Sequence, residues 1–93
     1  MNDLKIEDVY GELIDETKHS THGLWRQDDF KDWGRRALEL IEYLFGSSSA
    51  YYMTFLRVHR EALLLGTDDL RFGTRVALCV SILKSAYRES ADE

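Results

Sequence analysis

The sequence predicts an all-α fold, a compact four-helix domain spanning 1–93. Three observations carry that expectation. No proline interrupts the chain, and its six glycines are scattered singly, which suits helices joined by short polar turns. Four segments repeat apolar residues at steps of three and four, the period of a helix with one buried face. Between those segments stand a glycine or a cluster of small polar residues, the composition of helix stops and caps.

The first predicted helix covers about 4–18. Leu4, Ile6, Val9, Tyr10, Leu13 and Ile14 form its apolar stripe, Asp3 is positioned to cap it, and acidic residues in its first turn suit the positive end of the helix dipole. Gly11 costs about 1 kcal/mol relative to alanine in a helix interior. The segment 19–27 (HSTHGLWRQ) reads as a polar linker whose Trp25 pins it to the core. The pair His19-x-x-His22 in this linker could offer two imidazoles to a metal. Structural zinc wants four ligands and catalytic zinc three, and no further His or Cys lies near, so no metal and no cofactor are expected.

The second helix is predicted over about 28–45, with Asp28 or Asp29 as its cap. Phe30, Trp33, Ala37, Leu40, Ile41 and Leu44 hold the period over four turns. Asp32 precedes Arg36 by four residues and Arg35 precedes Glu39 by four, so both pairs meet on the helix surface. Gly34 lies mid-helix beside Trp33, where a missing side chain admits a bulky ring or a second helix. Gly46 is the expected left-handed cap. The third helix, about 49–64, begins after Ser47–Ser49, with Ser48 or Ser49 capping. Tyr51, Phe55, Val58 or His59 and Ala62 share one side, with Gly66 as the stop.

The fourth helix is predicted over about 67–89, capped by Thr67 with Asp68 and Asp69 in its first turn. Phe72, Val76, Cys79 or Val80, Leu83 and Tyr87 form its main apolar face, and Leu78 and Ile82 fall towards the other side. A helix apolar almost all round is either central or covered on its second face by another chain. That pattern predicts homo-oligomerisation, with Leu78, Ile82, Arg71 and Arg75 as the candidate interface.

Charge and composition exclude several function classes. The first sixteen residues carry six acids against Lys5, residues 17–88 carry eleven basic and eight acidic side chains, and the last five add three acids, which gives the overall −5. With a sequence pI near 5.1 the chain lacks the basic surface of a simple nucleic-acid binder, so nucleic acid is not an expected partner. The longest apolar run, Val76–Val80, is far short of the roughly 20 residues of a membrane span. The acidic start does not match a secretory leader, and the single Cys79 forms no internal disulfide, so a cytoplasmic setting is expected.

Catalysis is not expected either. Cys79 sits in an apolar helix where its thiolate would be scarce, the serines at 47–49 have capping as a sufficient role, and no glycine-rich phosphate loop is present. Binding has more support. Arg35, Arg36, Arg57, Arg60, Arg71 and Arg75 are half of the twelve basic residues, and Tyr51 and Tyr52 lie close to them in sequence. Arginine forks match phosphates and carboxylates, and aromatic faces stack on bases. Arg35, Arg36, Arg57, Arg60, Tyr51 and Tyr52 are therefore the candidate ligand-binding set for an anionic small molecule such as a nucleotide.

The pattern Trp33…Arg36…Leu40…Phe45-Gly46…Ser49…Tyr52…Phe55, followed by the helix from Phe72 to Tyr87, resembles a small helical module at the front of predicted nucleotide-binding, TIR-like and other defence-associated bacterial proteins. The resemblance covers about two thirds of the chain, from Asp28 to Glu89. It implies an accessory interaction or sensing role in a bacterial or phage-like protein, with the effector supplied by another polypeptide, and it carries over no active-site residue. The function expected is a non-catalytic protein-interaction and assembly module. The alternative is a sensor or sponge for an anionic small molecule.

Overall fold

Four helices form where the apolar periodicity places them: α1 (Asp3–Ser20), α2 (Gln27–Phe45), α3 (Ala50–Leu65) and α4 (Leu70–Asp92). A computed structural model describes residues 3–20 and 26–92, with side chains described over 6–18 and 26–91. The described residues contain no strand. The expected cap at Asp3, the pair His19 and His22, and the Trp25 anchor all lie outside the described side chains.

The two described turns have the same construction, and it moves one expected boundary, the start of α4. Gly46 and Gly66 adopt positive φ (91° and 83°) with extended ψ near 160°, rather than the compact left-handed conformation expected at Gly46. Each glycine N–H donates to a carbonyl four residues back, Glu42 and Ala62 respectively. Each glycine carbonyl then accepts from the backbone three residues on, at Ser49 and Asp69. The side chain at that third position caps the next helix. Ser49 Oγ accepts from Tyr52 N–H at 3.1 Å, and Asp69 Oδ1 accepts from Arg71 N–H at 2.8 Å. So α4 starts at Leu70, three residues later than predicted, and Thr67 lies in the turn instead of capping. The α2 cap also differs from expectation. Arg26 holds the cap position with no side-chain bond, and Asp28 and Asp29 lie inside the first turn, where their charge suits the dipole.

The core is an aromatic cluster on α2 into which the other helices pack. Phe30, Trp33 and Phe55 have no exposed surface. The Phe30 ring lies 6.0 Å from Trp33 and meets Phe72 edge-on at 5.2 Å, and Trp33 lies 5.9 Å from Phe55. Ala37, Ile41, Leu13, Cys79 and Leu83 complete it. The Trp33 indole N–H donates to the Leu13 carbonyl at 2.9 Å, which gives the buried nitrogen a partner and ties α1 to α2.

Gly34 has the role its position suggests. An added methyl group there would overlap the imidazole of His59, which packs over the glycine from α3. The ring is buried, and its Nε2 lies 3.0 Å from the Phe30 carbonyl oxygen. A carbonyl only accepts, so Nε2 carries the proton. Burial pushes the His59 pKa down, outweighing the raising effect of that hydrogen bond, and the ring is neutral in the folded protein.

The helices pack unevenly. α3 and α4 share the most extensive interface, followed by α2 with α3, whereas α1 and α4 meet least. Their meeting point includes Tyr10 and Tyr87, which stack at 3.8 Å with planes 6° apart. Thr17 and Lys18 of α1 border a groove along one flank of α4.

Candidate interaction site

The arginine and tyrosine set lies at or near the surface, and half of it, Arg35, Arg36 and Tyr51, is used within the chain. Arg36 forks onto both Glu16 oxygens at 2.6 and 2.7 Å and reaches Asp32 at 2.9 Å, so it joins α1 to α2. Those carboxylates, led by the Glu16 hydrogen bonds, push its pKa further above the ordinary arginine value. Arg35 bridges Asp32 and Glu39, both at 3.0 Å, and Asp32 is held below its usual pKa chiefly by Arg35. The Tyr51 hydroxyl donates to Glu89 at 3.0 Å, which raises the phenol's pKa and links α3 to the end of α4. Arg57 and Arg60 are exposed and make no ion pair among the described residues.

These residues do not converge on one cavity. Arg35, Arg60 and Tyr52 line a shallow groove between α2 and α3, which Asp28, Asp32, Glu39 and Glu42 also line. Four carboxylates against Lys31, Arg35 and Arg60 leave that groove without a net positive field. Among the described residues no group of three or more His, Cys, Asp or Glu side chains stands close enough to hold a metal ion. Cys79 is fully buried and its thiol is pushed up to about 12 by burial, so it remains protonated.

The candidate interface residues on α4 lie on the flank nearest α3. Arg75 Nε stands 3.2 Å from Glu61 on α3, too poorly aligned to make a hydrogen bond. Arg71 is tied to Asp69 through Nε at 3.1 Å and through a second guanidinium nitrogen at 2.9 Å. That pairing, with the cap bond, holds the Asp69 carboxyl at about 2. Ile82 packs against the core, and Leu78 alone of the four apolar and basic residues presents a large apolar surface to solvent, 43% exposed.

A different flank of α4 is open. The groove between α1 and α4 has a volume of about 850 Å³ and an apolar floor of Phe72, Val76 and Val80. Along its α4 side run Gly73, Ala77, Ser81 and Ser85, small residues at steps of four and all exposed. Lys18, Lys84 and Arg88 stand on its rim. At its other end Leu70 is 96% exposed, the largest value of any large hydrophobic side chain among the described residues. The four-residue spacing of the small residues is visible in the sequence, but α4 is apolar on so much of its circumference that periodicity alone does not say which flank the fold leaves uncovered.

No family model, curated protein or solved structure matches this chain. No described helix is long and apolar enough to cross a membrane.

Proposed function

We propose that this chain is a non-catalytic protein-interaction and assembly module that works in the cytoplasm and self-associates. The observation that carries the reading is the contrast between its chemistry and its surface. The only thiol is buried and protonated, the one described buried imidazole is fixed to a backbone carbonyl, and four of the six candidate arginines, Arg35, Arg36, Arg71 and Arg75, are paired with neighbouring carboxylates. Meanwhile α4 offers a long exposed flank of apolar and small side chains beside an open groove. Groups poised for chemistry sit in clefts with free, perturbed side chains. Exposed apolar surface next to small residues suits contact with another helix. The resemblance to accessory modules of TIR-like and other defence-associated bacterial proteins implies the same role.

Capture of an anionic small molecule is the second reading, supported by Arg57 and Arg60, which are exposed and carry no ion pair among the described residues. Native mass spectrometry on freshly purified protein separates the two, because it weighs subunits and retained ligands together. A multimer without added mass is the result the assembly reading expects. A bare monomer contradicts it. A retained nucleotide mass that Arg57→Glu removes replaces it with the second.

A further inference from the structure

We infer that the exposed stripe of α3 formed by Met53, Arg57, Arg60 and Leu64 is a docking site for the acidic outer side of α1 of a second copy of this chain. The inference rests on the assembly reading above and goes beyond it, since it places a contact between copies on surfaces other than the α4 flank.

The stripe follows from helical spacing. Met53, Arg57, Arg60 and Leu64 succeed one another at steps of four, three and four, so they project along a single line of α3, and all four are exposed. Met53 is 59% exposed and Leu64 82%, large values for apolar side chains of that size. Leu64 lies at the end where Gln27 donates to the Leu63 carbonyl, so Met53, Arg57 and Arg60 carry most of the contact. Neither arginine has an ion pair among the described residues, whereas Arg35, Arg36, Arg71 and Arg75 each stand beside a carboxylate. Glu61, the only acid of α3, faces Arg75 on α4 at 3.2 Å. Arg60 borders the groove between α2 and α3, whose acids all lie on α2, and Arg57 lies outside that groove.

Charge selects the partner. Two copies of the stripe repel each other, because a parallel and an antiparallel pairing both oppose arginine to arginine. The complementary surface is on α1, which carries six acids against Lys5 and Lys18. Asp8, Glu12 and Asp15 succeed one another at steps of four and three along its outer side, all exposed, and Glu7 is exposed on the neighbouring flank. Lys18 is the only basic side chain described on α1, and it lies beyond the end of that row. Gly11, exposed beside the row, has open space where a side chain would stand, which leaves room for the long and adaptable Met53. Within the described residues α1 and α3 do not pack against each other, so the acidic row and the arginine stripe meet only between copies. The contact is heterologous: one copy offers α1 and the other α3. Its charged groups are exposed and each chain carries a net charge of −5, so the association is weak and is screened by salt.

Sedimentation velocity over a range of protein concentration, at low and at high salt, tests this with wild type, Arg57→Glu/Arg60→Glu, Asp8→Lys/Glu12→Lys, and an equimolar mixture of the two variants. The wild type associates reversibly, more at low salt than at high. Each variant alone associates at least about tenfold more weakly, while circular dichroism shows its helix content unchanged, since all four positions are exposed. The mixture regains association, because each acidic row then finds an arginine stripe and each lysine row a glutamate stripe. Lys31→Glu/Lys84→Glu, which carries the same net charge as Arg57→Glu/Arg60→Glu on exposed residues away from both faces, keeps the wild-type behaviour. A control that loses association as fully as the stripe variant shows that net charge alone governs it, which overturns the inference. Association that survives in either variant places the contact elsewhere, which overturns the inference while self-association stands. A mixture no more associated than its components overturns the pairing of α1 with α3. A wild type that remains monomeric at every concentration overturns both the inference and the self-association on which it rests.

Discussion

The face of α2 that meets α3 and the outward flank of α4 are both built around small residues, and they put that smallness to opposite uses. At Gly34 the absent side chain is filled from within by His59, whose ring seats over the glycine and bonds the Phe30 carbonyl. Along Gly73, Ala77, Ser81 and Ser85 no described residue fills the space, and an added Cβ at Gly73 would meet no described atom within 4 Å. A small residue therefore means a close approach only where the packing neighbour is found. The first site holds the fold together, and the second is exposed among the described residues. The two regions should respond very differently to substitution.

The largest effect is expected at the filled site. Gly34→Ala forces the His59 ring out of its seat and breaks a buried hydrogen bond, which should cost about 3 kcal/mol even after the gain in helix propensity. Urea unfolding reads this directly. Much of the loss should disappear when Gly34→Ala is made in a His59→Ala background, because the overlap is then absent. A loss that persists there would mean that His59 is not what the glycine accommodates. On the open flank, Ser81→Ala should change stability by less than about 0.5 kcal/mol in the same measurement at a concentration where the chain is monomeric.

Next in size is Trp33→Phe, which removes the indole donor and leaves the Leu13 carbonyl without that bond. A loss of about 2 kcal/mol is expected, with faster amide exchange in α1 than in α3. Exchange that rises equally in every helix would show that Trp33 does not specifically hold α1.

The pH response of the filled site is smaller and has a definite sign. Burial lowers the His59 pKa in the folded state, so between about 6.5 and that lowered value the unfolded chain binds a proton that the native chain refuses. The neutral ring's contribution to stability is therefore present above about pH 6.5 and is lost as pH falls through the folded value. Urea midpoints should drop between pH 7 and pH 5, and His59→Gln should flatten that slope. A wild-type midpoint that rises over the same interval would contradict the buried neutral assignment.

The smallest stability effect is expected at the surface ion pairs. Arg35→Gln should cost less than about 0.5 kcal/mol, because its partners are exposed and solvent screens them. Arg36→Gln should cost about 1 kcal/mol, because it removes a two-pronged bond between helices. A midpoint for Arg36→Gln equal to that of Arg35→Gln would show that the fork onto Glu16 adds nothing.

Much of this architecture is legible in the sequence, for physical reasons that also set the limits. The stripe from Phe30 to Leu44 specifies α2 because its apolar residues recur at 3.6 over four turns, and the exchange of Asp32 with Arg36 and of Arg35 with Glu39 follows from spacing along one helix. The start of α4 is ambiguous in the sequence because Thr67, Asp68 and Asp69 are all competent caps, and what chooses Asp69 is the turn geometry set three residues earlier at Gly66. Partners from separate helices carry no such signal. Nothing along the chain relates Arg36 to Glu16, Trp33 to the Leu13 carbonyl or Gly34 to His59 in particular. For the same reason apolar periodicity points to the flank of Leu78 and Ile82, with Arg71 and Arg75 beside them, and only the relative placement of α1, α3 and α4 separates that flank from the one exposed among the described residues.

The assembly account is tested most directly by the thermal midpoint of the wild-type protein measured across a roughly 100-fold range of protein concentration. An assembly that forms only from folded chains predicts a midpoint that climbs with concentration, and a flat response for Arg57→Glu/Arg60→Glu. A wild-type midpoint independent of concentration would contradict self-association as the use to which this helical domain is put.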